Sequence, residues 1–120
     1  MDVHRKPRTI LVVDDNPEAR ELTAHVLRDE GFRVHEATNG GDALELLSEI
    51  DEVLCLAIID LVMPVLDGRK LIERLRQVSK GIPVIVITGS GVAEIPGVAS
   101  VVAKPVDPEV LRSLVRRFAR

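Results

Sequence analysis

Two adjacent carboxylates at the end of an apolar run are the first residues in this sequence that could do chemistry. Residues 10–13 are all aliphatic, and Asp14 and Asp15 follow them directly. Another acid, Asp60, ends a second apolar stretch in the same way. Carboxylates beside a core strand lose hydration and repel each other, so a chain that places them there usually supplies a cation. The pattern therefore predicts a cation site next to these acids.

The available ligands favour a hard divalent cation. The acids have neither thiolates nor a matched pair of histidines beside them, and the lone Cys55 lies in an apolar run, as a small core residue does. Oxygen ligands with room for water and phosphate favour Mg²⁺ or Mn²⁺ over zinc. Thr88 ends a further apolar run, and Lys104 follows the last one. A hydroxyl and an ammonium are donors that a developing phosphoryl charge requires.

Short aliphatic runs alternate with segments of helical period along the chain. The runs are residues 9–13, 33–37, 53–59, 82–87 and 100–103. Runs that are apolar throughout are typical of strands covered on both faces of a parallel sheet. Right-handed crossovers place helices on both faces of such a sheet, so the order predicts an α/β doubly wound fold. Ligands of these sheets lie at the carboxyl ends of the strands, where the polar residues should converge.

Helix caps and apolar stripes predict where the helices lie. The expected starts are Asn16 with Pro17, Asp42, Asp67 with Gly68, and Asp107 with Pro108. On the first helix the expected buried face consists of Ala19, Leu22, Val26 and Leu27. Between the last two strands, the stretch GSGVAEIPGVA has three Gly and one Pro. We therefore expect the helix at this position to be short, broken or absent.

Four motifs occur in order at the ends of the predicted strands: VVDDNP, IIDLVMPVLDG, VIVITG and VAKPVD. With them the chain strongly resembles, over residues 9–118, the receiver domain of bacterial two-component response regulators. The resemblance implies a flavodoxin-like fold whose five parallel strands have the order 2-1-3-4-5. It also implies one receiver domain over residues 1–120, with residues 1–8 as an N-terminal tail.

The resemblance assigns a chemical role to each acid. In receiver domains the aspartate that matches Asp60 attacks a phosphorylated histidine of a partner kinase and becomes an aspartyl-phosphate. By the same match Asp15 and Asp60 bind Mg²⁺ directly, together with the backbone carbonyl of Val62. Asp14 acts on the metal through a bound water.

Lys104 and Thr88 complete the site that the resemblance implies. Both bind the phosphoryl oxygens, and the peptide bond between Lys104 and Pro105 is expected to be cis. Receivers commonly carry Tyr or Phe three residues before the lysine, where this chain has Val101. The interval from Thr88 to Lys104 is 104 − 88 = 16 residues, shorter than is usual in the family. The usual aromatic switch is therefore not expected here.

Two other functions fit part of the pattern. A pseudo-receiver would keep the fold, lose the phosphorylation and act only as a docking module, as the Val101 substitution suggests. An Mg²⁺-dependent phosphohydrolase with an aspartate nucleophile would also use Asp60. Such enzymes typically carry a second acid two residues after the nucleophile, where this chain has Val62. The sequence therefore favours a regulator that catalyses only its own phosphorylation and dephosphorylation.

Composition narrows the range of partners. The net charge is −3 and aromatic residues make up 2% of the chain, which argues against direct binding of nucleic acid. No apolar run approaches the length of a membrane span, and residues 1–8 lack a signal-peptide pattern, so a cytoplasmic location is expected. The expected partners are a sensor histidine kinase or histidine phosphotransfer protein and a downstream protein. The sequence leaves the cognate kinase, the target and the oligomeric state open.

Overall fold

The strands that the structure describes form one parallel sheet. The computed structural model describes residues 8–61, 68–79, 81–89 and 95–119. The strands are β1 (Thr9–Val13), β2 (Arg33–Ala37), β3 (Leu54–Asp60), β4 (Val84–Thr88) and β5 (Ser100–Ala103). The helices are α1 (Pro17–Asp29), α2 (Gly40–Glu49), α3 (Gly68–Val78) and α4 (Pro108–Phe118). The sheet order is β2-β1-β3-β4-β5 with every pair parallel, so the predicted flavodoxin-like topology is confirmed.

Two layers of aliphatic side chains cover the faces of the sheet. Alternate residues of β1 belong to different layers: Leu11 packs with residues of α2 and α3, and Ile10 packs with residues of α1 and α4. All five residues of β1 are buried, as expected of a strand covered on both sides. Cys55 is half-buried against the second layer, and this burial raises the pKa of its thiol. None of the helices described here combines the length and the hydropathy that a membrane-spanning segment needs.

Side-chain caps set the starts of the helices. Asn16 caps α1 by accepting a hydrogen bond from the N–H of Ala19 at 3.0 Å, as predicted. Asp107 caps α4 in the same way. The predicted start of α2 at Asp42 was wrong, because Asn39 is the cap and accepts from the N–H of Asp42 at 2.8 Å. Asp42 instead lies in the first turn, where its charge favours the helix dipole.

The buried face of α1 differs from the predicted one. Leu22 was expected to be buried but is 49% exposed. Val26 and Leu27 are buried as predicted, but so are Thr23 and Ala24, which were not expected. Successive residues of a helix are about 100° apart, so the centre of the buried face is displaced from Leu22 towards Thr23 and Ala24. A polar residue, Thr23, shares this face, so a pattern based on apolar residues alone located only part of it.

The connection between β4 and β5 has no helical residue in its described part, residues 89 and 95–99, and residues 90–94 lie outside the described chain. The expected short, broken or absent helix falls largely on residues 90–94, so this prediction lies mostly outside the described residues. Gly97 adopts a left-handed conformation with φ of 81°. Arg76 of α3 reaches over it and donates from Nη2 to the carbonyl oxygen of Pro96 at 3.2 Å. A long side chain from α3 thus covers part of this connection.

Gly68 is needed where α3 begins against the end of β3. A Cβ on this residue would lie 2.8 Å from the carbonyl oxygen of Asp60 and 2.8 Å from the Cα of Leu61. Both contacts are with backbone, which cannot rotate away. We predict that Gly68→Ala lowers the free energy of unfolding by about 1–3 kcal/mol, as overpacking does, measured by urea denaturation.

The matched control for this prediction is Gly89→Ala. A Cβ on Gly89 would meet no heavy atom of the described residues within 4 Å, and this glycine does not need a positive φ. Its substitution should leave the urea midpoint almost unchanged. An equal loss of stability in the two variants would show that the close approach at Gly68 does not matter.

Candidate functional site

The carboxyl ends of four strands bring the polar residues of the sequence motifs together. Val13 of β1 is paired with Ile59 of β3, so the residues that follow them, Asp14 and Asp60, lie side by side. The strand order reverses between these two strands, which is where ligands bind in open α/β sheets. Thr88 ends β4 and is buried. The N–H of Lys104, just after β5, donates to the carbonyl oxygen of Thr88 at 3.0 Å.

Three carboxylates form a cluster at this edge of the sheet. Asp14, Asp15 and Asp60 each offer one oxygen, and these oxygens lie within 4.8 Å of one another. Asp14 and Asp60 are only 2% and 4% exposed, whereas Asp15 is exposed. An all-carboxylate donor set that is open to water on one side fits Mg²⁺ or Mn²⁺, which prefer oxygen ligands and retain water. It does not fit zinc as well, because no thiolate or imidazole belongs to this cluster of described residues.

Lys104 supplies the positive charge within the cluster. Its Nζ lies 3.1 Å from Oδ2 of Asp60 and 3.2 Å from Oδ1 of Asp14. Burial by itself would lower the pKa of Lys104, but the hydrogen bonds and charges of Asp60 and Asp14 outweigh this and raise the pKa. The ammonium is therefore charged at neutral pH and bridges the two buried carboxylates. The peptide bond from Lys104 to Pro105 is cis, as predicted.

The main chain of Asp14 is tied to neighbouring elements. Its N–H donates to the carbonyl oxygen of Ala37 in β2 at 3.1 Å. Its own carbonyl oxygen accepts from Nη1 of Arg20 at 3.0 Å. Its Oδ1 also accepts from the N–H of Asn16 at 3.0 Å. The sequence analysis missed Arg20. No motif marks Arg20, and its position close to Thr23 on the buried face of α1, where a charged residue needs a specific partner, becomes visible only in the structure.

Of the remaining predicted residues, two lie outside the described chain and one is part of the core. Val62, the expected source of a backbone ligand, lies outside the described residues, as does Asp67. Val101, at the position that carries an aromatic in many receivers, is paired with Val86 of β4. Its side chain is half-buried against the layer under α2 and α3, together with Ile95 and Val98. This position therefore holds a small core residue here.

The arrangement places the Asp60 carboxylate beside an ammonium and two further carboxylates. Such a carboxylate can attack an electrophilic phosphorus, because neighbouring positive charge offsets the repulsion between two anionic reactants.

The sequence profile described as "Response regulator receiver domain" matches residues 10–116. The chain belongs to this family, and the resemblance seen in its motifs is confirmed.

Relatives of this chain include both small and large proteins. It is 39% identical over 117 residues to a protein of Leptolyngbya boryana named "Uncharacterized 14.6 kDa protein in sodA1 3'region", covering 91% of this chain and 88% of that protein. It is 38% identical over 118 residues to the sensor histidine kinase RcsC of Escherichia coli strain K12. That match covers 92% of this chain but only 12% of RcsC. The chain therefore corresponds to a small part of the larger relative.

Solved structures of receiver domains have the same fold. The receiver domain of the hybrid histidine kinase CckA matches with a TM-score of 0.82 and 32% identity, covering 93% of this chain and 99% of that one. The chemotaxis response regulator CheY4 of Vibrio cholerae matches with a TM-score of 0.83 and 26% identity, covering 94% and 99%. Both a domain of a kinase and a chemotaxis regulator are thus similar to this chain.

Proposed function

We propose that this protein is a phosphoacceptor receiver in which Asp60 takes a phosphoryl group from a phosphorylated histidine. The donor is a sensor histidine kinase or a histidine phosphotransfer protein. The observation that carries the proposal is the cluster of Asp14, Asp15 and Asp60 around the Lys104 ammonium at the carboxyl edge of the sheet. The relative RcsC, named as a sensor histidine kinase, supports a partner of this type.

Asp60 is the nucleophile of the proposed transfer. A phosphorus–oxygen bond forms to Asp60 while the phosphorus–nitrogen bond of the phosphohistidine breaks, and the imidazole nitrogen keeps the electron pair. Lys104 and Thr88 hold the phosphoryl oxygens.

A divalent cation completes this proposed site. Asp14, Asp15 and Asp60, with the backbone carbonyl of Val62, would hold Mg²⁺. When bound, the ion would offset the negative charges of the carboxylates and of the phosphoryl group. The chain itself supplies the oxygen ligands and the fixed ammonium beside them.

The consequence of transfer is a change in a protein-binding surface, so the protein acts as a regulator and catalyses only its own phosphorylation and dephosphorylation. We place this activity in the cytoplasm, where a kinase partner presents its phosphohistidine. The family's usual aromatic switch is replaced by Val101, and described residues 95–99 carry no helix. These two features favour a second candidate, a pseudo-receiver that docks to partners without being phosphorylated.

Incubation with acetyl phosphate separates the candidates. With Mg²⁺ present, the phosphoacceptor gains one phosphoryl group, which intact-mass spectrometry detects, and EDTA abolishes the gain. A pseudo-receiver gains nothing under either condition. A phosphohydrolase shows continuous release of inorganic phosphate that greatly exceeds the amount of protein. Slow release of phosphate beside a detectable adduct is expected of a receiver that dephosphorylates itself, whereas the absence of any adduct, with or without release of phosphate, would contradict the proposal.

A further inference from the structure

Arg20 of α1 contacts the main chain of a residue in the acidic cluster, although its own charge takes no part in that cluster. Its Nη1 donates to the carbonyl oxygen of Asp14 at 3.0 Å. Its side chain is only 14% exposed. A guanidinium that is largely removed from water must be well bonded, because the loss of its hydration is costly. The bond to Asp14 is one of its compensating contacts.

The second contact of Arg20 anchors it to the neighbouring strand. Its Nε lies 3.4 Å from Oε1 of Glu36 in β2. The next residue of β2, Ala37, accepts the N–H of Asp14 at 3.1 Å. Two consecutive residues of β2 thus hold Asp14, Ala37 directly and Glu36 through Arg20. The planar fork of the guanidinium suits this task, because it can donate in two directions at once.

The carbonyl oxygen of Asp14 belongs to the peptide plane that leads into Asp15. Because a peptide is planar, fixing this oxygen fixes the direction in which the chain enters Asp15. Asp15 is exposed, so packing contributes little to holding its carboxylate towards Asp14 and Asp60. A hydrogen bond to the preceding carbonyl therefore contributes directly to the mutual placement of the acids.

We propose that Arg20 is a positioning residue for the cation site: it holds the Asp14–Asp15 peptide so that both carboxylates face Asp60. The inference rests on the proposed function in one respect, that these acids bind Mg²⁺. It adds a residue that contacts neither the ion nor the phosphoryl group. Outer residues that orient metal ligands typically affect metal affinity by about 10–100-fold.

Arg28 is a matched control on the same helix. Its Nη1 lies 3.2 Å from Oε2 of Glu36, and its Nη2 donates to the carbonyl oxygen of Val34 at 3.2 Å. Like Arg20, Arg28 therefore pairs with the Glu36 carboxylate and donates to a main-chain carbonyl oxygen, in this case one in β2. It differs from Arg20 in that its carbonyl partner is not in the acidic cluster and in that its side chain is 51% exposed.

The test is a titration of the purified chain with Mn²⁺. Binding is measured as the loss of the electron paramagnetic resonance signal of the free ion. The chain has no Trp, so tryptophan fluorescence cannot be used. We expect Arg20→Ala to weaken Mn²⁺ binding by about tenfold and Arg28→Ala to leave it unchanged. Arg20→Lys should fall between wild type and Arg20→Ala, since an ammonium is a point donor and not a fork.

The outcomes distinguish this inference from the proposed function. If the wild-type chain binds Mn²⁺ and Arg20→Ala binds it as tightly, the positioning role is wrong and the cation site stands. Equal weakening in Arg28→Ala would also overturn the role, because it would indicate general loosening of α1. If the wild-type chain binds no Mn²⁺, the cation site itself is wrong and the inference falls with it. Should Arg20→Ala fail to fold, Arg20→Lys and Glu36→Gln provide the same comparison.

Discussion

Asp60→Asn is expected to abolish labelling by acetyl phosphate, in contrast to the single phosphoryl group gained by the wild-type chain. An amide oxygen is too weak a nucleophile to replace the carboxylate, and it removes one charge from the cation ligands. Asp60 is 4% exposed and lies 3.1 Å from the Lys104 ammonium. A carboxylate exposed elsewhere on the surface lacks this surrounding and should not replace it as the acceptor. Intact mass, measured with and without Mg²⁺, checks the result.

Asp15→Asn is the control that separates the acceptor from the cation site. It removes a carboxylate of the same cluster but leaves Asp60 in place. Labelling should become slower and should be partly regained at higher Mg²⁺, because affinity for the ion is reduced while the nucleophile remains. Full labelling of Asp60→Asn would identify another acceptor and would sink the proposal. Urea unfolding of both variants excludes misfolding as the cause of any loss.

Three of the strands, β1, β3 and β4, could be predicted from the sequence because each is largely a run of aliphatic residues, whereas β2 alternates polar and apolar residues. The bounds of β1, β2 and β5 agree with the prediction. The other two strands lie one or two residues further along, since β3 was expected at 53–59 and β4 at 82–87. Val53 is 86% exposed, whereas Asp60 and Thr88 are paired within the ladder. Backbone pairing does not depend on side-chain polarity, so a reading based on apolar runs ends too early at polar residues.

The site residues that belong to sequence motifs could be predicted, and those outside the motifs could not. The motifs pointed to Asp14, Asp60 and Lys104, and the register of the parallel strands brings these together. Arg20 could not be found in this way, because its partners are a main-chain oxygen and a glutamate on a strand distant in sequence. Such contacts depend on how α1 is rotated, and the apolar pattern located only part of its buried face, Val26 and Leu27.

Lys104→Met is expected to destabilise the ion-free chain strongly. The ammonium lies between the buried carboxylates of Asp14 and Asp60, and its removal leaves their charges facing each other in a site with little access to water. Removing one partner of a buried ion pair costs about 3–5 kcal/mol, and we expect about 3 kcal/mol because the Lys104 side chain is 27% exposed. Urea denaturation in EDTA measures this loss.

Mg²⁺ should restore much of the stability that Lys104→Met loses, since the ion neutralises the same carboxylates. The stabilisation by saturating Mg²⁺ should therefore be larger in the variant than in the wild-type chain. The double variant Asp60→Asn with Lys104→Met should be more stable in EDTA than Lys104→Met alone, because one of the opposing charges is gone. Identical urea midpoints for Lys104→Met and wild type in EDTA would show that the ammonium does not compensate the buried acids.

The pH dependence of stability provides a separate check on Lys104. Its pKa in the folded chain is raised above the ordinary value of 10.5, because the two carboxylates favour the charged form more than burial disfavours it. The protonated group therefore contributes its full stabilisation below pH 10.5 and loses it as the pH rises through the raised pKa. The stability difference between wild type and Lys104→Met should be constant from neutral to moderately alkaline pH and should shrink above that range. A difference that persists unchanged into strong alkali would mean that packing of the lysine stem, and not its charge, stabilises the site.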